Sequence, residues 1–573
     1  MSRPRIAVLG TPSHPEVVWG KRSLGQLREL GFTGVQLNVG WSYRPADEPL
    51  NLEDVVSVKG APPSRAAFSD SGSPARLDMV NRRAALAHSS GLRTVFHFGA
   101  PFQGRAGFDG VALPQCISDP RTTVRYVDAV YALAAAAPDI DDLLVYTYDQ
   151  DAWLCSEFDG CDLCSGIPLH LRVPKFINSL ATAWQTCRPG SRLWWEPWEL
   201  SAGQCLASIP LLEPTSVGLM LHSNIGEVVS TMPADAFFRN AAATARRHDI
   251  PVIGELFLSS SNEEVEPWRH LPVPLVTLDQ LRAVERVNGV SGIKEYFGIR
   301  SPDLDVNMMA ASLYFMDPST TDDYALTSIA DRFDRAWLSD FWRECSRAYS
   351  LYPWDSSWFA RQLGNSEPLH ELSAATVRGT QAAATEWDTP AWRSSRSATF
   401  MRITSAETHS WLLEDVELRF AAAASAMEDA VSLFTASFTP SGDALSAALI
   451  DQLDEVVGFI VRCNAYRFHL RATNIADALR RGSTNAAALI EELKSVLRAD
   501  LENQRRELAR KPHEAQPTPL QLSERWMVAD RNDLRPIEMA ITALDGDLNH
   551  FLTTYFTTVP DAATAGQFSL TSR

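Results

Sequence analysis

Eight short apolar runs recur in the first half of the chain, about one βα unit apart. They are Ile6–Gly10, Gly34–Gly40, Arg93–Gly99, Asp142–Asp149, Ser191–Trp198, Ser216–Ser223, Pro251–Phe257 and Gly292–Gly298. Between them lie stretches with apolar residues every three or four positions, as over Ser23–Leu30, Asp78–Ser90, Thr122–Ala137 and Val173–Thr186. Strands alternating with helices in this way predict an α/β fold, a (β/α)8 TIM barrel. Such a barrel gathers its chemistry at the C-terminal ends of its strands. The carboxylates at or near those ends are Asp149, Asp151, Glu196, Glu199, Glu255 and Glu295.

The 573 residues exceed what one barrel needs and predict at least two domains. The barrel is expected over residues 1–315 and a helical C-terminal domain over 316–573. Past Asp317 the strand signal fades. Alanine-rich amphipathic stretches follow over Thr321–Tyr352, Leu369–Glu386, His409–Phe434, Ala444–Leu479, Asn485–Arg510 and Leu522–Tyr555. Proline and glycine at Pro353, Pro440, Gly442, Gly482 and Pro512 punctuate them. This reads as an all-α domain of roughly five to seven helices. Its expected roles are packing and homo-oligomer formation.

With 52 Lys and Arg against 70 Asp and Glu, the formal charge is −18. A chain this acidic repels nucleic acid and anionic membrane, so neither is an expected partner. No apolar stretch reaches the length of a membrane span. Met1-Ser-Arg-Pro-Arg5 runs directly into the first apolar run without the features of a signal peptide, so a cytoplasmic location is expected. A substrate met there has to be small enough to be imported.

The fourth run ends in Asp149-Gln-Asp151. In a continuing strand the two carboxylates share a face. Held close, they cannot both ionise easily, so one keeps its proton beside an anion near neutral pH. The plainer reading has Asp149 capping the next segment and Asp151 alone in the chemistry. The eighth run carries Lys294-Glu295-Tyr296, with Glu295 either catalytic or bound to a hydroxyl or a cation. The fifth carries Trp194-Trp195-Glu196-Pro197-Trp198-Glu199. Aromatic faces stack on the C–H faces of sugar rings and carboxylates accept from hydroxyls, so this cluster suits a sugar subsite. The alternative is that some of its tryptophans pack between barrel and helices. Glu255 and Glu196 are reserve catalytic carboxylates. His97, His222, Trp41, Trp195, Trp198, Glu199 and Tyr296 are candidate substrate contacts, with His14 and Trp19 as weaker ones.

Cys155-x5-Cys161-x2-Cys164 follows the acidic pair, and its Cys-x-x-Cys half has metal-ligand spacing. Cys116 or His170 can complete a tetrad for a structural zinc. The alternatives are three reduced thiols or one disulfide, the latter disfavoured in a cytoplasm. No cofactor is expected to be required for catalysis.

Cys116-Ile-Ser-Asp119-Pro120, then a helix, the Asp139-Ile-Asp-Asp142 turn, an acidic strand end and clustered cysteines resemble a broad set of bacterial barrel glycosidases. That set is loosely similar to β-hexosaminidases of glycoside hydrolase family 20 and α-glucuronidases of family 67. Lys294-Glu295-Tyr296-Phe297-Gly298 resembles the Gln-Glu-Tyr-x-Gly segment of the α-glucuronidases, which implies a catalytic carboxylate at Glu295. The hexosaminidase Asp-Glu pair is replaced here by Asp149-Gln-Asp151. The resemblance implies glycoside hydrolysis; the expected activity is exo-type hydrolysis of a small glycoside or oligosaccharide, with Asp151 or Asp149 as general acid and Glu295 as partner. The rival readings are a metal-dependent lyase or isomerase of sugar acids, and a carbohydrate-binding barrel without activity.

Overall fold

The structure is a computed structural model and describes residues 3–10, 19–38, 48–49, 51–57, 73–101, 116–147, 152, 154–155, 157, 161–197, 200–223, 233–259, 270–296, 298–299, 304–353, 406–508, 510 and 535–555. Eight parallel strands close into a barrel in chain order. They are β1 (Arg5–Val8), β2 (Gly34–Gln36), β3 (Arg93–Gly99), β4 (Asp142–Tyr146), β5 (Leu193–Glu196), β6 (Val217–His222), β7 (Val252–Leu256) and β8 (Val290–Glu295). β8 returns to β1 through Arg5 opposite Ile293 and Ile6 opposite Lys294, which removes every free edge. Each of the eight apolar runs overlaps one of these strands, with β1 starting one residue and β8 two residues ahead of its run. The runs read as nearly continuous apolar sequence because parallel strands are covered on both faces.

The intervening helices are α1 (Lys21–Glu29), α2 (Leu52–Val55), α3 (Ser73–Ser89), α4 (Pro120–Ala136), α5 (Leu169–Cys187), α6 (Ala202–Ser208), α7 (Ala236–Arg247), α8 (Pro274–Glu285) and α9 (Val306–Met316). Several of their starts carry polar caps, whereas α1 and α5 start after Gly20 and Pro168 without one. Asp119 accepts from the Arg121 N–H at 2.9 Å, and Asp235 accepts from the Phe238 N–H at 2.8 Å. Ser201 and Gln204 form a reciprocal capping box at α6. Each such cap satisfies an amide that the helix itself leaves without a partner.

The axis of the barrel is filled from the bottom. Ile6, Val95, Leu144, Trp194, Met220 and Ile253 form one buried cluster. Residues from six strands of a closed barrel meet only on its axis, so these positions define the inward face. Side chains two residues further along each strand share that face and stand one layer higher. The apolar layer is therefore the floor of whatever lies at the C-terminal mouth.

The chain divides into two compact units. One contains the described residues up to 259 and 276–325, and hence the barrel. The other contains 270–275, 326–353 and 406–555. The chain passes between them within α10 (Asp322–Arg332). The second unit holds α11 (Leu338–Leu351), α12 (Ala406–Ser437), α13 (Ala444–Arg480), α14 (Ala486–Leu508), α15 (Arg535–Gly546) and α16 (Leu548–Tyr555). The ring of Tyr352 meets Phe420 edge-on at 5.0 Å, and Phe420 stacks on Tyr466 at 5.2 Å, which ties the chain just past α11 to α12 and α13. A separate cluster of Ala472, Leu493, Leu497, Leu544 and Phe551 joins α13 to α14, α15 and α16. The expected helix over Leu369–Glu386 lies outside the described residues. Among the described residues no helix is long and apolar enough to cross a membrane.

Candidate active site

One layer above the apolar floor the inward positions turn polar. They are His97 on β3, Tyr146 on β4, Glu196 on β5, His222 on β6, Glu255 on β7 and Lys294 on β8, and all are buried. Their ion pairs form one chain. Lys294 Nζ lies 2.8 Å from Glu255 Oε1. His222 Nε2 lies 3.1 Å from Glu255 Oε2 and 2.8 Å from Glu196 Oε1. His97 Nε2 completes the line at 3.5 Å from Glu196 Oε2.

Burial alone would push His222 down, but its hydrogen bonds to Glu196 and Glu255 outweigh this and raise it to about 9. Burial would raise Glu196, yet hydrogen bonds from His222 and His97 hold it well below the usual carboxylate range. At neutral pH the site therefore contains an imidazolium and a standing carboxylate anion, both inside a low-dielectric barrel. The layer is shaped by aromatics at two points. Tyr146 packs edge-on against His97 at 5.1 Å, and a side chain at Gly99 would collide with the Tyr146 ring at 2.5 Å. Tyr296, half-buried just past β8, meets His222 edge-on at 4.6 Å.

The backbone around the site is fixed by side chains beyond β2. Asn38 donates to the carbonyls of His97 at 2.8 Å and Pro49 at 2.9 Å, and accepts the His97 N–H at 3.0 Å. It thereby continues the β2–β3 ladder after the strand itself has ended.

The structure brings together four of the expected groups, Glu196, Glu255, His97 and His222, with Tyr296 beside them. Two others stand elsewhere. Glu295 neighbours Lys294 in sequence, and successive strand residues face opposite ways. With Lys294 on the inward face, Glu295 turns away from the axis. Its carboxylate accepts the N–H of Leu258 at 2.9 Å and of Gly298 at 3.0 Å. Gly298 has a φ of 130°, a conformation open to glycine and strained for other residues. Trp195 likewise has the orientation opposite to Trp194 and Glu196. It is fully buried, and its indole N–H donates to Thr147 Oγ1 at 3.2 Å. It packs in the barrel wall rather than at the sugar-facing layer expected of it. Asp149, Asp151, Trp198, Glu199, Trp41 and His14 lie outside the described residues. Lys294, Tyr146 and Asn38 were not expected as site residues. The Lys294 signal was present, because a lysine inside an apolar strand needs a buried partner.

The cysteines converge. The sulfurs of Cys116, Cys155, Cys161 and Cys164 all lie within 4.8 Å of one another, and all four are free thiols. Cys116 supplies the fourth position, not His170.

No family model matches this chain, and no curated protein matches it. Solved structures do. A glycoside hydrolase family 138 enzyme that targets pectin rhamnogalacturonan II aligns over 96% of this chain and 68% of its own, with a TM-score of 0.57 and 11% identity. The fold is shared with that enzyme. An O-GlcNAc hydrolase of Thermobaculum terrenum aligns over 99% and 97% at a TM-score of 0.40 and 9% identity. A family 5 enzyme of Prevotella bryantii, solved with a xyloglucan oligosaccharide, aligns over 52% and 86% at 0.33 and 13%.

Proposed function

We propose that this protein is a glycoside hydrolase acting at the C-terminal mouth of the barrel, exo-type, on a small glycoside or oligosaccharide. The observation that carries this reading is the anionic Glu196, held between two histidines above an apolar floor. Glycosidic cleavage passes through an oxocarbenium-like state, and a fixed anion in a low-dielectric site stabilises that positive charge. The shared fold with a family 138 enzyme is consistent with it.

Glu196 and Glu255 do not make an acid–nucleophile pair by themselves. The scissile bond has to lie between the two carboxyls. Here His222 Nε2 occupies that space, 2.8 Å from one and 3.1 Å from the other. Glu255 instead anchors His222 and Lys294. In this reading Glu196 is the standing anion and Asp151 or Asp149, which follow β4 next to β5 in the barrel, supplies the proton. Glu295 supports the backbone, and Tyr296, His97 and His222 line the sugar subsite.

A metal-dependent sugar-acid lyase or isomerase is favoured by one observation: Glu196, His222 and Glu255 offer ligand atoms within 4.8 Å of one another. Against it, the Lys294 ammonium already supplies a cation to Glu255. A panel of aryl and natural glycosides and free sugar acids, assayed with and without chelator, separates the readings. Hydrolysis of a glycoside that falls by about 10²–10³ in Glu196→Gln supports the proposal. Turnover of a free sugar acid, with no glycoside hydrolysed, that is lost on chelation and restored by a divalent ion favours the lyase or isomerase. Sugar binding without turnover of any glycoside favours a binding barrel.

A further inference from the structure

We propose that Cys116, Cys155, Cys161 and Cys164 bind one structural zinc ion that staples two neighbouring connections at the barrel mouth. Cys116 lies between β3 and α4, and the other three lie between β4 and α5. The two connections are distant in sequence, so nothing local brings these thiols together.

The geometry suits a single ion. Four sulfurs at the corners of a tetrahedron about 2.3 Å from a central zinc stand about 3.8 Å apart. The observed limit of 4.8 Å between every pair accommodates that arrangement. Among the described residues, the apolar cluster they form contains the four cysteines of a complete ligand set and no other apolar side chain. A backbone donor reaches one of the sulfurs, as is common around bound thiolates: the Ser118 N–H points at Cys116 Sγ at 3.4 Å. The Cys161–Cys164 turn is closed by the Cys164 N–H to the Cys161 carbonyl at 3.2 Å and by the Ser165 N–H at 2.9 Å. Arg172 of α5 holds the Cys155 carbonyl at 2.7 Å and the Ile167 carbonyl at 2.8 Å, so a cation stands behind the thiols. Such partners orient ligands and offset the negative charge of a tetrathiolate.

Zinc binding converts four thiols to thiolates and releases their protons to solvent, leaving a site of charge −2 with no change of oxidation state. The closed set of four thiolates leaves no open position for substrate, so the ion is structural. Its consequence is mechanical: Cys155, four residues after Asp151 in sequence, is held to Cys116 of the neighbouring connection.

The test uses the full chain, purified under reducing conditions without chelator or metal-affinity resin. Elemental analysis is expected to find about one zinc per chain, and a Cys161→Ser/Cys164→Ser double variant to lose it by at least about tenfold. The wild-type chain also answers without any variant. Zinc is expected to protect four of the eight cysteines from alkylation until chelator is added. Cobalt added to the stripped chain is expected to give the intense charge-transfer colour of a tetrahedral thiolate site. Less than about a tenth of an equivalent of zinc, together with no cobalt colour, would overturn the proposal, as would recovery of iron or of disulfides among these four residues.

Discussion

Lys294 Nζ lies 2.8 Å from Glu255 Oε1, with both side chains closed off from solvent, and this pair terminates the charged chain that runs across the barrel mouth to His97. Ions of opposite sign alternate along the line from Lys294 to Glu196. Each carboxylate is therefore placed by a neighbour on the adjacent strand, and each neighbour by the next. The charged layer is ordered by the strand register itself, for His222 stands opposite Glu255 and Glu255 opposite Lys294 in the ladder.

Removing one end of the line tests that arrangement. Lys294→Met keeps the length of the side chain but leaves Glu255 a buried carboxylate without its ammonium. Breaking a buried pair from one side costs about 3–5 kcal/mol. The thermal or urea transition of the barrel is expected to shift accordingly, and Lys294→Met/Glu255→Gln is expected to recover part of the loss. A single variant as stable as the parent would show that Glu255 is not held as an anion by Lys294.

The imidazolium gives a pH signature. His222 is raised from 6.5 to about 9 by its two carboxylates, so the folded state binds its proton more tightly than the unfolded chain. Its contribution is complete below about 6.5, declines above that and is gone above about 9. At about 1.4 kcal/mol per pKa unit, this is on the order of 3 kcal/mol. Glu196 acts in the opposite sense. Its folded value is depressed, so its contribution is present above about 4.5 and fades as acid titrates the folded carboxylate. Urea unfolding between pH 6 and pH 9 is expected to show falling stability in the parent and a flatter profile in His222→Gln. Identical slopes in the two proteins would sink the assignment of His222 as cationic.

The two glutamates at opposite sides of the barrel wall separate chemistry from support. In Glu295→Gln one of the two amides now bound by the carboxylate loses its acceptor, for the Gln side chain offers a single oxygen. A loss of about 1–3 kcal/mol in stability is expected, with kcat retained within about tenfold. Glu196→Gln is expected to fold with near-parental secondary structure and to lose hydrolysis by about 10²–10³. The reverse pattern would restore Glu295 as the partner carboxylate that its sequence context implies.

The barrel was legible because hydrophobic runs at βα spacing follow from burial on both faces of a parallel sheet, and each run overlaps its strand. The site was legible only in part. Glu196, Glu255, His97 and His222 occupy strand ends, and position alone marks them. Which face each residue occupies follows from parity, and parity needs one reference residue per strand. With Lys294 inward, Glu295 is outward. With Trp194 in the floor, Trp195 is in the wall. The sequence contains the alternation but not its phase, because runs that are apolar on both faces carry no polar mark of which side is the axis. Cys116 joined the other cysteines because β3 and β4 pair side by side, which sets the connections that follow them next to each other.

Gly99 supplies the last expectation. The site needs Tyr146 laid against His97, and the ring takes the space where any other residue at 99 would carry its Cβ. A methyl there would stand 2.5 Å from Tyr146 Cζ and 2.6 Å from its hydroxyl oxygen, well inside contact distance. The ring cannot yield by swinging to solvent, since Tyr146 is buried in the same layer as the charged chain. Gly99→Ala is therefore expected to cost about 1–3 kcal/mol in stability through overpacking. It is also expected to lower hydrolysis more than it lowers stability at the assay temperature, because the displaced ring disturbs His97 and, through it, Glu196. Pairing it with Tyr146→Phe separates the effects: loss of the hydroxyl relieves only one of the close contacts, so the double variant is expected to stay impaired. Full activity in Gly99→Ala would mean that the Tyr146 ring has no part in positioning the histidine.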